Sequence, residues 1–139
     1  MMRRAGLAGA AAAAAWAAFE PLGRRAFRLP ATYSDLRLLG GPLSRRHWKT
    51  VGLALHLMNG AAFGLAFRRL GGGGWREGLV AAEAENLLLW PGMLAVDRLH
   101  PDRKSGAWPP LLGNARVFAY EAATHAVFGV TLGLLLRRR

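Results

Sequence analysis

The stretch EGLVAAEAENLLLWPGML, residues 77–94, decides the fold because it holds three polar side chains inside an apolar run. These side chains are Glu83, Glu85 and Asn86. Two further apolar stretches each carry one histidine, His56 in the first and His125 in the second. Ionisable groups are costly in hydrocarbon and usually face one another inside a bundle. The pattern therefore predicts a small multi-pass membrane protein with a polar cluster between its helices.

The charge pattern also favours a membrane location. The 139 residues are 53% hydrophobic, yet they carry a net charge of +11. The arginines stand in short clusters between the apolar stretches, where long cationic side chains reach lipid headgroups. The clusters are Arg3-Arg4, Arg24-Arg25, Arg45-Arg46, Arg68-Arg69 and Arg137 to Arg139. We expect anionic headgroups as the partner and no nucleic acid, since no aromatic-basic or DNA-reading motif is present.

Four segments approach the roughly 20 apolar residues that a spanning helix needs. They run over about residues 5–22, 50–67, 78–96 and 117–136. We expect a single integral membrane domain over residues 1–139, all-α, built as a four-helix transmembrane bundle. A basic loop would cover 23–49, and a Pro- and Gly-rich loop would cover 97–116. Pro21 and Gly23 are expected to end the first helix.

The segments between the spans carry predictions of their own. Trp48, Trp75 and Trp108 precede the later spans and should lie in the interfacial belt of aromatic residues. In the first loop, YSDLRLL either forms a short helix on the membrane surface, with Ser34 as its N-cap, or stays a polar loop. We expect the last loop to be irregular and its His100 to be solvated.

The N-terminus and the orientation of the chain allow two interpretations each. The Ala-rich start resembles a signal peptide with a cleavage site at Ala15-Trp16-Ala17, or a first span. We favour the span, since small residues are common where membrane helices pack closely. Charge density places the termini in the cytoplasm, whereas a raw count of Lys and Arg places them outside. The heavy use of Ala, Gly, Arg and Leu suggests a bacterium, so we expect its inner (plasma) membrane, with cytoplasmic termini.

An internal repeat is one interpretation of the second and fourth segments. Aligning Phe63-Gly64 with Phe128-Gly129 places His56 over Glu121 and ends both segments in arginines. The chain would then consist of two repeated helical hairpins that arose by duplication. Chance similarity between helices rich in Gly, Ala and Leu is the alternative.

The same helix faces carry the small residues and the polar residues. Residues at four-residue steps lie on one face of a helix, and small residues there let a neighbouring helix approach closely. These steps are Gly52, His56, Gly60 and Gly64 in the second segment, and Glu121, His125, Gly129 and Gly133 in the fourth. The histidines and Glu121 should therefore point into the bundle.

The helical rise places the polar residues at similar depths. From the side where the second and fourth helices end, His56 and His125 lie about 16–17 Å deep. The predicted polar cluster comprises His56, Asn59, Glu83, Glu85, Asn86, Glu121 and His125. Glu83 and Glu85 are two residues apart and cannot both face inward, so the choice between them stays open.

Three roles are compatible with this cluster. The first is packing, by hydrogen bonds between helices in a structural or accessory membrane protein. The second is a proton or ion path in a small proton-coupled or ion-conducting carrier. The third is a metal or haem site on His56 and His125. We expect the first role, no cofactor and no enzymatic activity, since no catalytic motif is present. A homo-oligomer and a membrane-protein partner stay open.

The motifs resemble those of a known kind of protein. They are His-x-x-Asn-Gly-x-x-Phe-Gly from His56 to Gly64, then Glu85-Asn86, then His125-x-x-Phe-Gly. Together with the Arg-rich end, this pattern is similar to uncharacterised small bacterial inner-membrane proteins. The resemblance covers most of the chain after Thr50 and implies a helical inner-membrane protein without implying an activity.

We predict that the protein sediments with membranes. Its four apolar segments should require lipid, so the folded chain should appear in the pellet when a detergent-free lysate is centrifuged at high speed. Immunoblots of pellet and supernatant measure this distribution. Folded protein in the supernatant would contradict the membrane assignment.

Overall fold

The computed structural model describes residues 2–137 and is all-helical over that range. Met1 and the last two arginines of the predicted Arg-rich end lie outside it. The helices are α1 (Met2–Ala26), α2 (Asp35–Gly40), α3 (Trp48–Arg69), α4 (Trp75–Leu89), α5 (Met93–Leu99), α6 (Pro101–Lys104) and α7 (Ala115–Leu135). A 3₁₀ turn at Trp90–Gly92 joins α4 to α5, and the two form one apolar segment, Trp75–Leu99. This segment and helices α1, α3 and α7 are each long and apolar enough to cross a membrane, which confirms the predicted fold class.

The four long helices pack in an open order. Helix α1 packs against α3 on one side and α7 on the other, and α7 packs against α4. Helices α3 and α4 make little contact with each other, and α2 packs on α3. The bundle therefore has the order α3, α1, α7, α4, with a gap between its first and last members.

Glycines bring the helix backbones together along two seams. In the seam between α1 and α3, a methyl group on Gly60 would stand 2.6 Å from both Ala13 Cβ and the Gly9 carbonyl oxygen. In the seam between α4 and α7, a methyl group on Gly129 would stand 2.8 Å from Ala82 Cβ. The glycines predicted to pack helices all lie at such crossings: Gly52 against α2, Gly60 and Gly64 against α1, and Gly129 and Gly133 against α4. Only glycine permits this approach, because it has no side chain between the backbones.

The two seams are equivalent, but the sequence alignment that relates them differs from the predicted alignment. The matched positions are Gly9, Gly60 and Gly64 in the first seam, and Gly78, Gly129 and Gly133 in the second. One constant shift in residue number relates these sets, so His56 corresponds to His125 and not to Glu121. The motif His-x-x-x-Gly-x-x-x-Gly-Leu-x-x-Arg-Arg begins at both histidines. The alignment of Phe63 with Phe128 is wrong, because glycines and not phenylalanines set where the helices cross.

Helix α1 passes through the residues that were predicted to end it. Pro21 lies inside the helix on an exposed position, so its ring faces away from the bundle. Gly23 makes room for the Tyr120 ring, which a methyl group on the glycine would approach to 3.0 Å. The helix ends beyond Ala26, where Arg28 adopts the left-handed conformation (φ 55°) of a Schellman motif.

The two long loops form an ordered cap, residues 27–47 and 97–114, over one end of the bundle. Arg37 in α2 binds Asp102 with two hydrogen bonds of 2.7 and 2.6 Å. Arg103 donates to Asp97 at 2.6 Å and to the Trp108 carbonyl oxygen at 2.6 Å. The first ion pair thus joins two loops that were expected to be polar or irregular, and the bonds of Arg103 order the last loop internally.

The cap corrects three predictions about loop residues. Ser34 does begin a short helix, but its hydroxyl makes no capping bond and lies buried in the protein, not at the membrane surface. Trp108 is 1% exposed and does not belong to an interfacial belt. It stacks on His100, with ring centroids 4.4 Å apart. His100 is buried as well, and burial lowers its pKa below the ordinary range. The aromatic stack explains both errors, because each ring shields the other from solvent.

We predict that Gly60→Ala destabilises the bundle. The new methyl group would overlap α1 and force the seam apart, at a cost of about 1–3 kcal/mol in the free energy of unfolding. Gly92→Ala is the matched control, since nothing lies within 4 Å of a methyl group there. Thermal unfolding in detergent measures both variants. Equal melting temperatures for the two would contradict the close contact.

Candidate functional site

A partly open cavity of about 150 Å³, lined by both polar and apolar side chains, lies between the helices beneath the cap. Six of the seven residues of the predicted polar cluster line it: His56, Asn59, Glu85, Asn86, Glu121 and His125. Glu83 does not line this cavity and lies half-exposed on α4. The structure thus places Glu85, and not Glu83, on the cavity wall. The rest of the lining consists of Trp16, Asp35, Leu38, Leu39, Leu89, Trp90 and Met93.

The two histidines occupy equivalent positions in the two repeated hairpins. Each lies one helical turn before the first seam glycine of its helix, so the seams bring both rings to the same depth. Both rings contact Trp16, with centroid distances of 5.0 Å for His56 and 4.4 Å for His125. Trp16, which the sequence analysis assigned to the first span, with a cleavage site as the alternative, is therefore part of the cavity wall.

Each histidine uses one ring nitrogen for the backbone. His56 Nε2 lies 3.1 Å from the Ala13 carbonyl oxygen, and His125 Nδ1 lies 2.7 Å from the Glu121 carbonyl oxygen. A carbonyl oxygen only accepts, so the bonded nitrogen carries the proton. In the neutral rings, the other nitrogens, His56 Nδ1 and His125 Nε2, are then free to accept a proton or a hydrogen bond.

The Glu85 carboxylate lines the cavity without a hydrogen-bond partner among residues 2–137. It comes no closer than 4.0 Å to His125 Nε2, which is too long for a hydrogen bond. The neighbouring Asn86 is 3% exposed, and its side-chain amide interacts with the Glu83 carboxyl on the same helix. An unpaired ionisable group within a membrane span usually serves a function.

A second polar group, the carboxyl network, adjoins the cavity on the cap side. Asp35 Oδ2 accepts hydrogen bonds from Trp16 Nε1 at 2.7 Å and from the Tyr120 hydroxyl at 3.2 Å. The Tyr33 hydroxyl donates to Glu121 Oε1 at 2.6 Å. The Asp35 and Glu121 carboxyls also hydrogen-bond with each other. Helix α2 thereby inserts a polar residue from a loop into the interior of the bundle.

Glu20 extends the carboxyl network to the outside. Its two oxygens accept hydrogen bonds from the Ser34 hydroxyl at 2.7 Å and from the Asp35 amide at 2.9 Å. Arg24, one turn further along α1, forms an ion pair with it at 3.2 Å. Glu20 lines an outer groove of about 570 Å³, whereas Asp35 and Glu121 line the inner cavity. The three carboxyls thus connect the groove to the cavity.

The carboxyl network contains more acidic than basic side chains. Within residues 2–137, its three buried carboxyls have one guanidinium partner, that of Arg24 on Glu20. Burial and then the neighbouring Glu121 carboxyl raise the pKa of Asp35 well above its ordinary range. Burial and the same carboxyl also raise the pKa of Tyr33. Folding therefore favours the protonated form of Asp35.

Sequence reasoning missed three members of this site for different reasons. Glu20 is an acid at the end of an apolar stretch, which is the signal that identified Glu85, and it could have been found in that way. Asp35 stands in a polar loop and carried no such signal. Trp16 stands in a run of alanines, where an aromatic residue alone does not indicate a cavity.

No group of three His, Asp or Glu within residues 2–137 is arranged to hold a metal ion. Comparisons with protein-family models, with curated proteins and with solved structures find no match to the chain. The resemblance to small bacterial inner-membrane proteins stays a prediction, and function has to be argued from the cavity and the carboxyl network.

We predict that the stability of the protein falls as pH rises, in part through Asp35. A carboxyl whose pKa is raised by folding contributes fully below its unfolded pKa, and the contribution is lost as pH rises through the folded value. Asp35→Asn mimics the protonated acid, because its amide oxygen can accept from Trp16 and its amide nitrogen can donate to Glu121. The variant should therefore lose less stability between acidic and alkaline pH than the native protein.

Chemical unfolding in detergent over a pH series measures the difference. Asp35→Ala is the contrast, since it leaves buried donors without an acceptor and should cost about 1–3 kcal/mol even at acidic pH. Parallel pH curves for the native protein and Asp35→Asn would show that Asp35 is not the titrating group.

Proposed function

We propose that the chain is a multi-pass integral membrane protein that binds and exchanges protons in its central cavity, as a small proton-coupled carrier. The observation that carries this proposal is the Glu85 carboxylate, which lines the cavity without a hydrogen-bond partner among residues 2–137. His125 places a free ring nitrogen 4.0 Å from that carboxylate. Glu and His side chains facing each other inside a membrane are the parts of known proton relays.

A purely structural role accounts for less of this arrangement. The glycine seams already hold the helices together. His125 bonds to a carbonyl of its own helix, and its distance to Glu85 is too long to tie α7 to α4. Among the histidine bonds, that from His56 to Ala13 crosses between helices, so structural support is the second candidate function there.

The carboxyl network supplies a route for the proton. Glu20 meets the outer groove, and Asp35 and Glu121 meet the cavity, so a proton can pass between carboxyls linked by hydrogen bonds. On the side away from the cap, buried Phe67, Phe128 and Leu132 fill the bundle between the seams. Access from one side, with the other side filled by apolar side chains, fits a carrier better than a continuous pore.

We further propose a bacterial inner membrane with cytoplasmic termini, which would turn the cap and the outer groove to the opposite side. Arginine clusters near both ends of the spans would contact anionic headgroups. Reporter fusions after residue 139 test this orientation. Export of a C-terminal reporter would reverse it and leave the cavity unaffected.

We predict that Glu85→Gln and His125→Ala abolish proton movement while the protein stays folded. Each removes a proton-accepting group from the cavity and leaves both glycine seams in place. Purified variants in liposomes with an enclosed pH-sensitive dye report the flux after an imposed pH step. The expected result is a rate equal to that of protein-free liposomes.

Glu83→Gln is the matched control, because it changes the same chemical group on the same helix, outside the cavity. It should retain the native flux. Equal flux in all four proteins, with melting temperatures lowered by the cavity variants, would favour the structural role instead.

A further inference from the structure

The cavity wall joins two kinds of surface that proton exchange alone does not require. One consists of the Trp16 and Trp90 rings, and the other of the Glu85 carboxylate and the free histidine nitrogens. Leucine, methionine and asparagine side chains and the Asp35 and Glu121 carboxyls complete the wall, and no Lys or Arg within residues 2–137 contributes to it. Such a site accepts hydrogen bonds and positive charge within apolar surroundings. An anion in this site would be repelled by the carboxylates, with no cationic side chain in the wall to offset the repulsion.

These surfaces match the chemistry of a protonated amine. An ammonium group has three donors and no acceptor, so it can satisfy Glu85 and the ring nitrogens together. Aromatic faces attract cations, more strongly when water is excluded.

The size of the cavity limits the ligand. A cavity of about 150 Å³ holds a body the size of benzene. The ligand would therefore be a small amine whose apolar part has about six carbon atoms.

The entrance lies between α3 and α4. Asn59 of α3 and Leu89 of α4 both line the cavity, and both are also exposed on the outside of the protein. Each lies near the middle of its apolar segment, and these two helices make little contact with each other. The mouth of the cavity would therefore open at mid-membrane, toward hydrocarbon.

We propose that the cavity binds small lipophilic amines that enter from the bilayer through this mouth, an inference that rests on the proposed proton-coupled function. The neutral amine crosses the mouth, because a charged one would be costly in hydrocarbon. Its nitrogen lone pair then takes a proton that has come from the aqueous phase along Glu20, Asp35 and Glu121. The product is an ammonium ion beside the Glu85 carboxylate.

Binding of radiolabelled benzylamine to the full chain in nanodiscs tests the proposal, with empty nanodiscs subtracted. We expect saturable binding, with no competition from benzyl alcohol or benzoate, which have the same ring without the positive charge. Glu85→Gln should weaken binding by at least about thirtyfold, as expected for a buried charge that loses its partner. Glu83→Gln should bind like the native protein.

Several results would overturn the proposal. They are the absence of saturable benzylamine binding, competition by benzyl alcohol equal to that of unlabelled benzylamine, and equal losses in the two glutamate variants. The competition series uses the native protein, so it decides the matter even if Glu85→Gln fails to fold. Proton flux without benzylamine binding would reject the amine and keep the carrier. The absence of both proton flux and benzylamine binding would reject both the carrier and the amine site.

Discussion

The contact of backbone with backbone at the two glycine seams is the constraint on which the rest of the structure depends. Where Gly60 meets α1 and Gly129 meets α4, no side chain separates the helices. A seam of this kind permits one register only, since a shift of one residue would place a side chain against a backbone. That register brings His56 and His125 to the same depth, and their shared contact with Trp16 follows from it.

The cap supplies hydrogen bonds that the long helices and their seams cannot provide. Four long helices alone would leave Glu20 and Glu121 without most of their hydrogen-bond donors. Helix α2 brings the Tyr33 and Ser34 hydroxyls to them, and the pairing of Arg37 with Asp102 ties this helix to the opposite loop. Burying carboxyls requires compensating hydrogen bonds. The first loop is therefore long and ordered because it supplies these bonds, and not because it links two distant helices.

Each half of the chain contains an equivalent glycine seam, but the elements that pack around the two seams differ. The motif beginning at His56 and the motif beginning at His125 provide the same backbone contacts, which is the pattern of a duplicated hairpin. The first half then carries α2 against α3, whereas the second half leaves α4 with an exposed apolar face. This asymmetry separates α3 from α4 and leaves the cavity open on one side. A fully symmetric bundle would have closed it.

The sequence by itself determined the four apolar helices, the inward face of His56 and His125 and the packing glycines, because these follow from hydrophobic runs and from spacing along one helix. Only the tertiary structure decided that Glu85 and not Glu83 lines the cavity and that Asp35 enters the bundle from a loop, and the glycine contacts chose between two alignments of the repeat that the sequence allows. The physical reason is that a helix's periodicity is local, whereas its rotation and the path of a loop are set by contacts between segments far apart in the chain. Asp35 meets Tyr120 across 85 positions, a distance at which no spacing rule operates.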